Sequence, residues 1–164
     1  SDNEEINTCL AAGAYSVAAF SFTELVEIDY SLDISFTPSE CCEPDGFEPN
    51  DSISSAPLVF SGEVAELLSI CQDDIDIYLI DLVAGDRLIV DLVFDQFTDD
   101  EDLDIFIHDL NNQRLTPCCD VNNGQSLTSD EQLEFSVPTS GQYAIVIEGY
   151  AGARNEYLMG IEIQ

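Results

Sequence analysis

The sequence predicts an all-β fold, a jelly-roll-like β-sandwich, on three observations. Apolar residues come in short β-branched or aromatic runs, turn residues separate those runs, and no stretch sustains helical spacing. The elements follow in order. Residues 11–22 are small and apolar, but they contain Gly13 and end in Phe20-Ser21-Phe22, which favours a strand over a helix. Residues 77–82 and 88–94 are rich in Ile, Leu and Val and are joined by Ala84-Gly85-Asp86, a hairpin signal. Residues 103–107 form a further apolar run, with Asn111-Asn112 soon after it. Residues 133–137, 143–147 and 157–163 complete the set, with turns at Asn122-Asn123-Gly124, Pro138-Thr139-Ser140-Gly141 and Ala151-Gly152.

Charge narrows the partners. The 164 residues carry 34 acidic side chains against 3 basic ones, a formal charge of −31. Such self-repulsion keeps many chains unfolded, yet 45% of the residues are hydrophobic, too many for an acidic disordered tail. The charge therefore belongs to the surface of a folded domain, offset by bound divalent cations or a saline medium. Nucleic acid and anionic membranes are excluded as partners, because Arg87, Arg114 and Arg154 are scattered and are the only cations. No apolar run is long enough to insert in a membrane as a helix. The polar, acidic residues 1–7 are unlike a retained signal peptide and like a mature exported chain.

Six cysteines form an even set: Cys9, Cys71 and the adjacent pairs Cys41-Cys42 and Cys118-Cys119. In an exported protein they predict up to three disulfides, with the connectivity left open by spacing. A zinc site from the two adjacent pairs is disfavoured, since neither has the C-x2-C spacing that brings two thiolates to one tetrahedral ion.

An internal repeat sets the organisation. Ala12-Gly13-Ala14-Tyr15 followed by a run from Tyr30 matches Ser140-Gly141-Gln142-Tyr143 followed by a run from Tyr157, with tyrosine spacings of 15 and 14. Residues 1–37 thus read as the late strands of a preceding module, 38–44 as a linker and 45–164 as one complete module. Terminal strands of a sandwich cannot bury their apolar face alone. They pack on their own module or are completed by another copy of the chain, and repetition of the second arrangement builds a filament.

Six elements in register carry a family resemblance: Phe47-Glu48-Pro49-Asn50-Asp51-Ser52, Asp73-Asp74-Ile75-Asp76-Ile77-Tyr78, Ala84-Gly85-Asp86, Asp102-Leu103-Asp104-Ile105, Val137-Pro138-Thr139-Ser140-Gly141-Gln142-Tyr143 and Gly149-Tyr150-Ala151-Gly152. In order and spacing the chain resembles a bacterial pre-peptidase C-terminal domain, a family related to the collagen-binding domains of clostridial collagenases. The resemblance implies a secreted, non-catalytic sandwich, often beside a protease or other catalytic domain. It also implies a Ca2+ site, with Glu48, Asn50, Asp51, Asp73 and Asp76 at the ligand positions. The residue chemistry agrees, because carboxylates and an amide oxygen without nitrogen or sulfur suit Ca2+. Gly46 departs from the pattern where a further glutamate is expected, with Asp45 or Glu43 as substitutes. The second acidic run, residues 99–104, lacks the glycine and terminal glutamate of an EF-hand loop and reads as a solvated hairpin.

Catalysis finds little footing. His108 is the only histidine, it sits at a strand edge, and no G-x-S-x-G elbow accompanies it. The expected function is a structural or assembly unit, Ca2+-stabilised, extracellular on a cell surface or in a matrix, whose partners are other copies of itself or neighbouring repeats. The alternative is a binding or accessory appendage of a secreted hydrolase that meets an insoluble extracellular polymer, with Tyr150 as the possible ligand contact.

Overall fold

The computed structural model describes residues 6, 14–19, 30–35, 42, 44–62, 67–98, 101–118, 120 and 122–164. The chain divides into two units, Ser1–Cys41 and Cys42–Gln164. In the first, residues 14–19 and 30–35 carry no strand assignment and are exposed. The strand expected over 11–22 is therefore not present at 14–19, and the rest of it lies outside the described residues. Most of the expected partial repeat and linker lies outside them as well.

Among its described residues the second unit holds seven strands: β1 (Leu68–Ile70), β2 (Ile75–Leu82), β3 (Arg87–Val93), β4 (Leu103–His108), β5 (Glu131–Ser136), β6 (Gly141–Gly149) and β7 (Asn155–Ile163). They form two antiparallel sheets, ordered β1-β7-β3-β5 and β2-β6-β4. The pairs β1·β7, β2·β6 and β3·β5 are those of one long hairpin folded over on itself, the winding of a jelly roll. Six expected strands are present, each within two residues of its expected limits at either end. The three-residue β1 was not foreseen, because its run is too short to show a period.

Alternation along each strand explains the core. Tyr78, Ile80 and Leu82 of β2, Leu88, Val90 and Leu92 of β3, and Ile145 and Ile147 of β6 all point between the sheets. The outer face of β2-β6-β4 is apolar too. Ile77, Phe106, Ala144 and Val146 are buried there, packed by Ile53, Ala56 and Leu79. The segment containing Ile53 and Ala56 is stitched along β2: the Ile77 N–H donates to Asn50 O at 3.1 Å and the Leu79 N–H to Pro57 O at 2.8 Å. Burial on both faces is why β6 reads as an unbroken apolar run rather than an alternating one. Arg114 closes this face, its guanidinium 3.4 Å from the centroid of the Phe106 ring.

The β4 and β5 edges, like that of β2, are met by the unit's own loops. Along β4, the Ile105 N–H donates to Gly124 O and the Leu115 N–H to Ile107 O, both at 2.7 Å. On β5, the Asn123 side chain imitates a strand: its Oδ1 accepts the Glu134 N–H at 2.7 Å and its Nδ2 donates to Glu134 O at 3.3 Å.

Two of the recurring sequence elements meet at one end of the sandwich and serve structure there. The Gly85 N–H donates to Val137 O at 2.9 Å, and the Ala84 N–H to Ser140 Oγ at 2.8 Å. The Tyr143 hydroxyl donates to Thr139 O at 2.6 Å, tying the turn back to β6. Tyr143→Phe should therefore cost about 1 kcal/mol in urea unfolding. An unchanged midpoint would show that this bond contributes nothing net.

Cys42 and Cys71 form a disulfide across a sequence separation of 29. Closing a loop of that length constrains the unfolded chain by roughly 3–4 kcal/mol. Cys118 is also disulfide-bonded, so all three described cysteines are paired. Cys9, Cys41 and Cys119 lie outside the described residues. Among the described residues no helix is long and apolar enough to cross a membrane.

Candidate metal centre

The centre is built where two segments meet at the start of β2. In the first, Asp45 accepts the Phe47 N–H at 2.8 Å and the Ser69 N–H at 2.9 Å, which ties the segment to β1. The Phe47 ring then packs edge-on against Tyr78, with centroids 5.7 Å apart. These anchors carry residues 48–51 past the start of β2. In the second segment, the Asp74 N–H donates to Cys71 O at 3.2 Å, closing a turn with Asp73 in the left-handed region at φ 61°. Aspartate tolerates that conformation better than most residues.

The turn brings Glu48, Asp74 and Asp76 together, each offering a carboxylate oxygen within 4.8 Å of the others. Asp76 is fully buried. Its Oδ2 accepts a 2.5 Å hydrogen bond from the Tyr157 hydroxyl, which in turn lies 2.9 Å from the Tyr78 hydroxyl. Its Oδ1 is buried without a hydrogen-bond partner. The Asn50 side chain is likewise fully buried, and neither its Oδ1 nor its Nδ2 has one. Each such orphan costs about 1–3 kcal/mol, so a folded protein retains them where something else completes them.

Electrostatics point the same way. Burial, and after it Glu48, Asp45 and Asp74, raise the Asp76 carboxyl to about 7 despite the Tyr157 bond. Glu48 is also raised, first by burial and then by Asp74, Asp51 and Asp45, while the Asn50 N–H opposes the effect. Burial also raises the hydroxyls of Tyr78 and Tyr157, so both remain protonated donors. The donor set consists entirely of oxygen, with three carboxylates drawn together. It fits a hard divalent cation and lacks the nitrogen and sulfur ligands that zinc and copper favour.

Of the expected ligands, Glu48 and Asp76 lie in the cluster. Asn50 is tied to it, its N–H donating to Glu48 Oε2 at 3.0 Å. Asp51 is exposed, close enough to repel Glu48. Asp73 turns the other way: a Cβ added to Gly152 would lie 2.4 Å from its Oδ1. Asp74 occupies the third place in the cluster, and sequence reasoning had passed over it. The signal was present, since residues two apart in an extended segment share a face, which groups Asp74 with Asp76 and sets Asp73 apart. Asp45, a possible substitute for the missing glutamate, spends both oxygens on backbone N–H groups.

Tyr150 is 53% exposed, on a 3-10 turn spanning Tyr150–Gly152. The turn is tied to the segment before β4: the Tyr150 N–H donates to Asp102 O at 2.8 Å. A Cβ on Gly149 would fall 1.9 Å from Ala153 O, so only glycine fits.

The second acidic run corrects an expectation. Asp102 is buried and Asp104 is only partly exposed, so these two do not belong to a solvated hairpin. Burial, then Asp102, Glu131 and Glu148, push the Asp104 carboxyl to about 7, with Arg114 opposing. Residues 99 and 100 lie outside the described residues. His108 ends β4, buried, with Nδ1 2.9 Å from Asn112 Oδ1, so its ring meets an amide rather than a nucleophile.

No protein-family model matches the chain, and no curated protein does. Among solved structures it is similar to the pre-peptidase C-terminal domain of collagenase from Bacillus anthracis, with 11% identity and a TM-score of 0.46 over 65% of this chain and 94% of that one. One similar structure is thus a pre-peptidase C-terminal domain. The chain is also similar to PliG of Aeromonas hydrophila, a periplasmic inhibitor of g-type lysozyme, with 18% identity and a TM-score of 0.44 over 66% of this chain and 95% of that one. PliG of Salmonella Typhimurium is similar at 14% identity and a TM-score of 0.42, over 66% of this chain and 99% of that one. Likenesses of this extent carry no residue roles to this chain.

Proposed function

We propose that this chain is a non-catalytic, extracellular β-sandwich module stabilised by Ca2+, acting as a structural or assembly unit. One observation carries the reading: Glu48, Asp74 and Asp76 converge on a point beside the buried Asn50, and Asp76 and Asn50 keep oxygens without a hydrogen-bond partner. Glu48, Asn50, Asp74 and Asp76 would hold the ion, whose positive charge would offset the three carboxylates. A disulfide-bonded chain of charge −31 suits an oxidising, saline exterior. Assembly with other copies is part of the proposal. An added strand must displace a loop or the Asn123 side chain from the covered edges, so the interface lies elsewhere or opens such an edge.

Calcium titration by calorimetry on the full chain tests the ion. Binding is expected at roughly 10⁻⁴ to 10⁻³ M, the range of extracellular modules. Asp76→Asn and Glu48→Gln should abolish it, and Asp73→Asn should leave most of it. Absent heats, or equal binding by Asp76→Asn, would overturn the assignment. Sedimentation in calcium and in chelator tests assembly, and a monomer in both would exclude it.

A second reading, an accessory appendage of a secreted hydrolase, rests on Tyr150, an exposed ring on a 3-10 turn hydrogen-bonded to Asp102. Retention on collagen, chitin or cellulose, lost in Tyr150→Ala, would favour it.

A further inference from the structure

We infer that the Cys42–Cys71 disulfide is a clamp on the cation site, so that the thiol state of this pair and divalent-cation affinity are linked. The inference rests on the Ca2+ reading above and adds a regulatory element to it. Each cysteine opens one of the two ligand-bearing segments. Cys42 precedes Asp45, Glu48 and Asn50, and Cys71 begins the turn that presents Asp74 and Asp76. The segments run alongside each other, joined by the disulfide, by the Ser69 N–H to Asp45 Oδ2 at 2.9 Å, and by the Ile77 N–H to Asn50 O at 3.1 Å.

Charge opposes this arrangement. Glu48 on one segment meets Asp74 and Asp76 on the other with carboxylate oxygens within 4.8 Å of one another, and like charges that close repel. With the ion absent, the disulfide is the covalent tie that keeps like charges together. It holds the ligands at high effective concentration and lowers the ordering cost that binding would otherwise bear. Linkage is reciprocal: whatever factor the disulfide adds to cation affinity, the cation adds to the disulfide's resistance to reduction. Reduction by a dithiol breaks the S–S bond with two electrons and two protons. It leaves thiols on Cys42 and Cys71 and converts the dithiol to its own disulfide.

Two measurements on the full chain decide the matter. Calcium titration of the oxidised protein is compared with Cys42→Ser/Cys71→Ser, with circular dichroism reporting whether the variant keeps its fold. A fall in affinity of roughly tenfold or more is expected. Separately, the oxidised wild type is equilibrated with graded dithiothreitol, with and without calcium, and the thiols at Cys42 and Cys71 are counted by alkylation and mass spectrometry. Calcium should raise the dithiol concentration needed for half-reduction by a similar factor. This second arm stands even if the double variant unfolds. A half-reduction point indifferent to calcium, in a protein that binds calcium, overturns the clamp and leaves the ion site intact. Failure of the oxidised protein to bind calcium overturns both.

Discussion

With divalent cations chelated, the chain should be more stable at pH 5 than at pH 8. Asp76 and Asp104 are both pushed from 3.8 to about 7, chiefly by burial and then by neighbouring carboxylates. Below 3.8 the folded and unfolded chains both hold these protons. As pH rises towards 7 the unfolded chain releases them while the folded chain retains them, so stability is lost across that window. For Asp76 the displacement corresponds to roughly 4 kcal/mol, a large share of the about 5–15 kcal/mol that holds a domain together. Calcium should cancel the Asp76 part, because a ligating carboxylate is ionised, and leave the Asp104 part. Thermal midpoints measured from pH 5 to 8 should therefore fall steeply in chelator and gently in calcium, and Asp104→Asn should flatten the remaining slope. A midpoint that climbs over this range in chelator would refute the account.

Tyr157→Ala should remove most of the stability of the sandwich. The ring is fully buried in the core, on β7 opposite Leu68 of β1. Emptying that space costs about 3–5 kcal/mol. The loss also strands Asp76 Oδ2 and the Tyr78 hydroxyl, at about 1–3 kcal/mol each. Tyr157→Phe keeps the shape and forfeits only the hydrogen bonds, so it should cost about 1–3 kcal/mol in urea unfolding. It should also weaken calcium binding, because Asp76 loses the donor that orients it. Equal losses in the two variants would show that the ring does not pack as described.

Much of the fold was legible because alternation reports burial directly. Residues 88–94 and 157–163 each read as strands, and they pair in register from Leu88 with Ile163 to Val93 with Leu158. β1 was not legible: three residues show no period, and they form a strand only because β7 offers a partner. The candidate site was legible in composition and blurred in detail. Glu48, Asn50 and Asp76 could be named from motif and chemistry. The choice between Asp73 and Asp74 depends on which side of the chain each occupies, and a left-handed residue in the turn decides that. The run around Asp102 misled for the opposite reason: acidic composition predicts solvent, whereas Asp102 is buried just before β4 and Asp104 is half-buried on the outer face of β4 that carries Phe106.

What the sequence determined by itself was the class of the molecule: all-β, acidic, disulfide-bonded, with hard oxygen ligands and no cationic surface for nucleic acid. Those follow from residue chemistry and from a period of two along the chain, both local properties. Tertiary contacts settled which acids share a site, which are drawn out of solvent, and that Cys42 and the single Cys71 staple the ligand segments. These depend on contacts between residues far apart in the chain, such as Asp76 with Tyr157 and Cys42 with Cys71, and strand order and turn handedness alone bring them together.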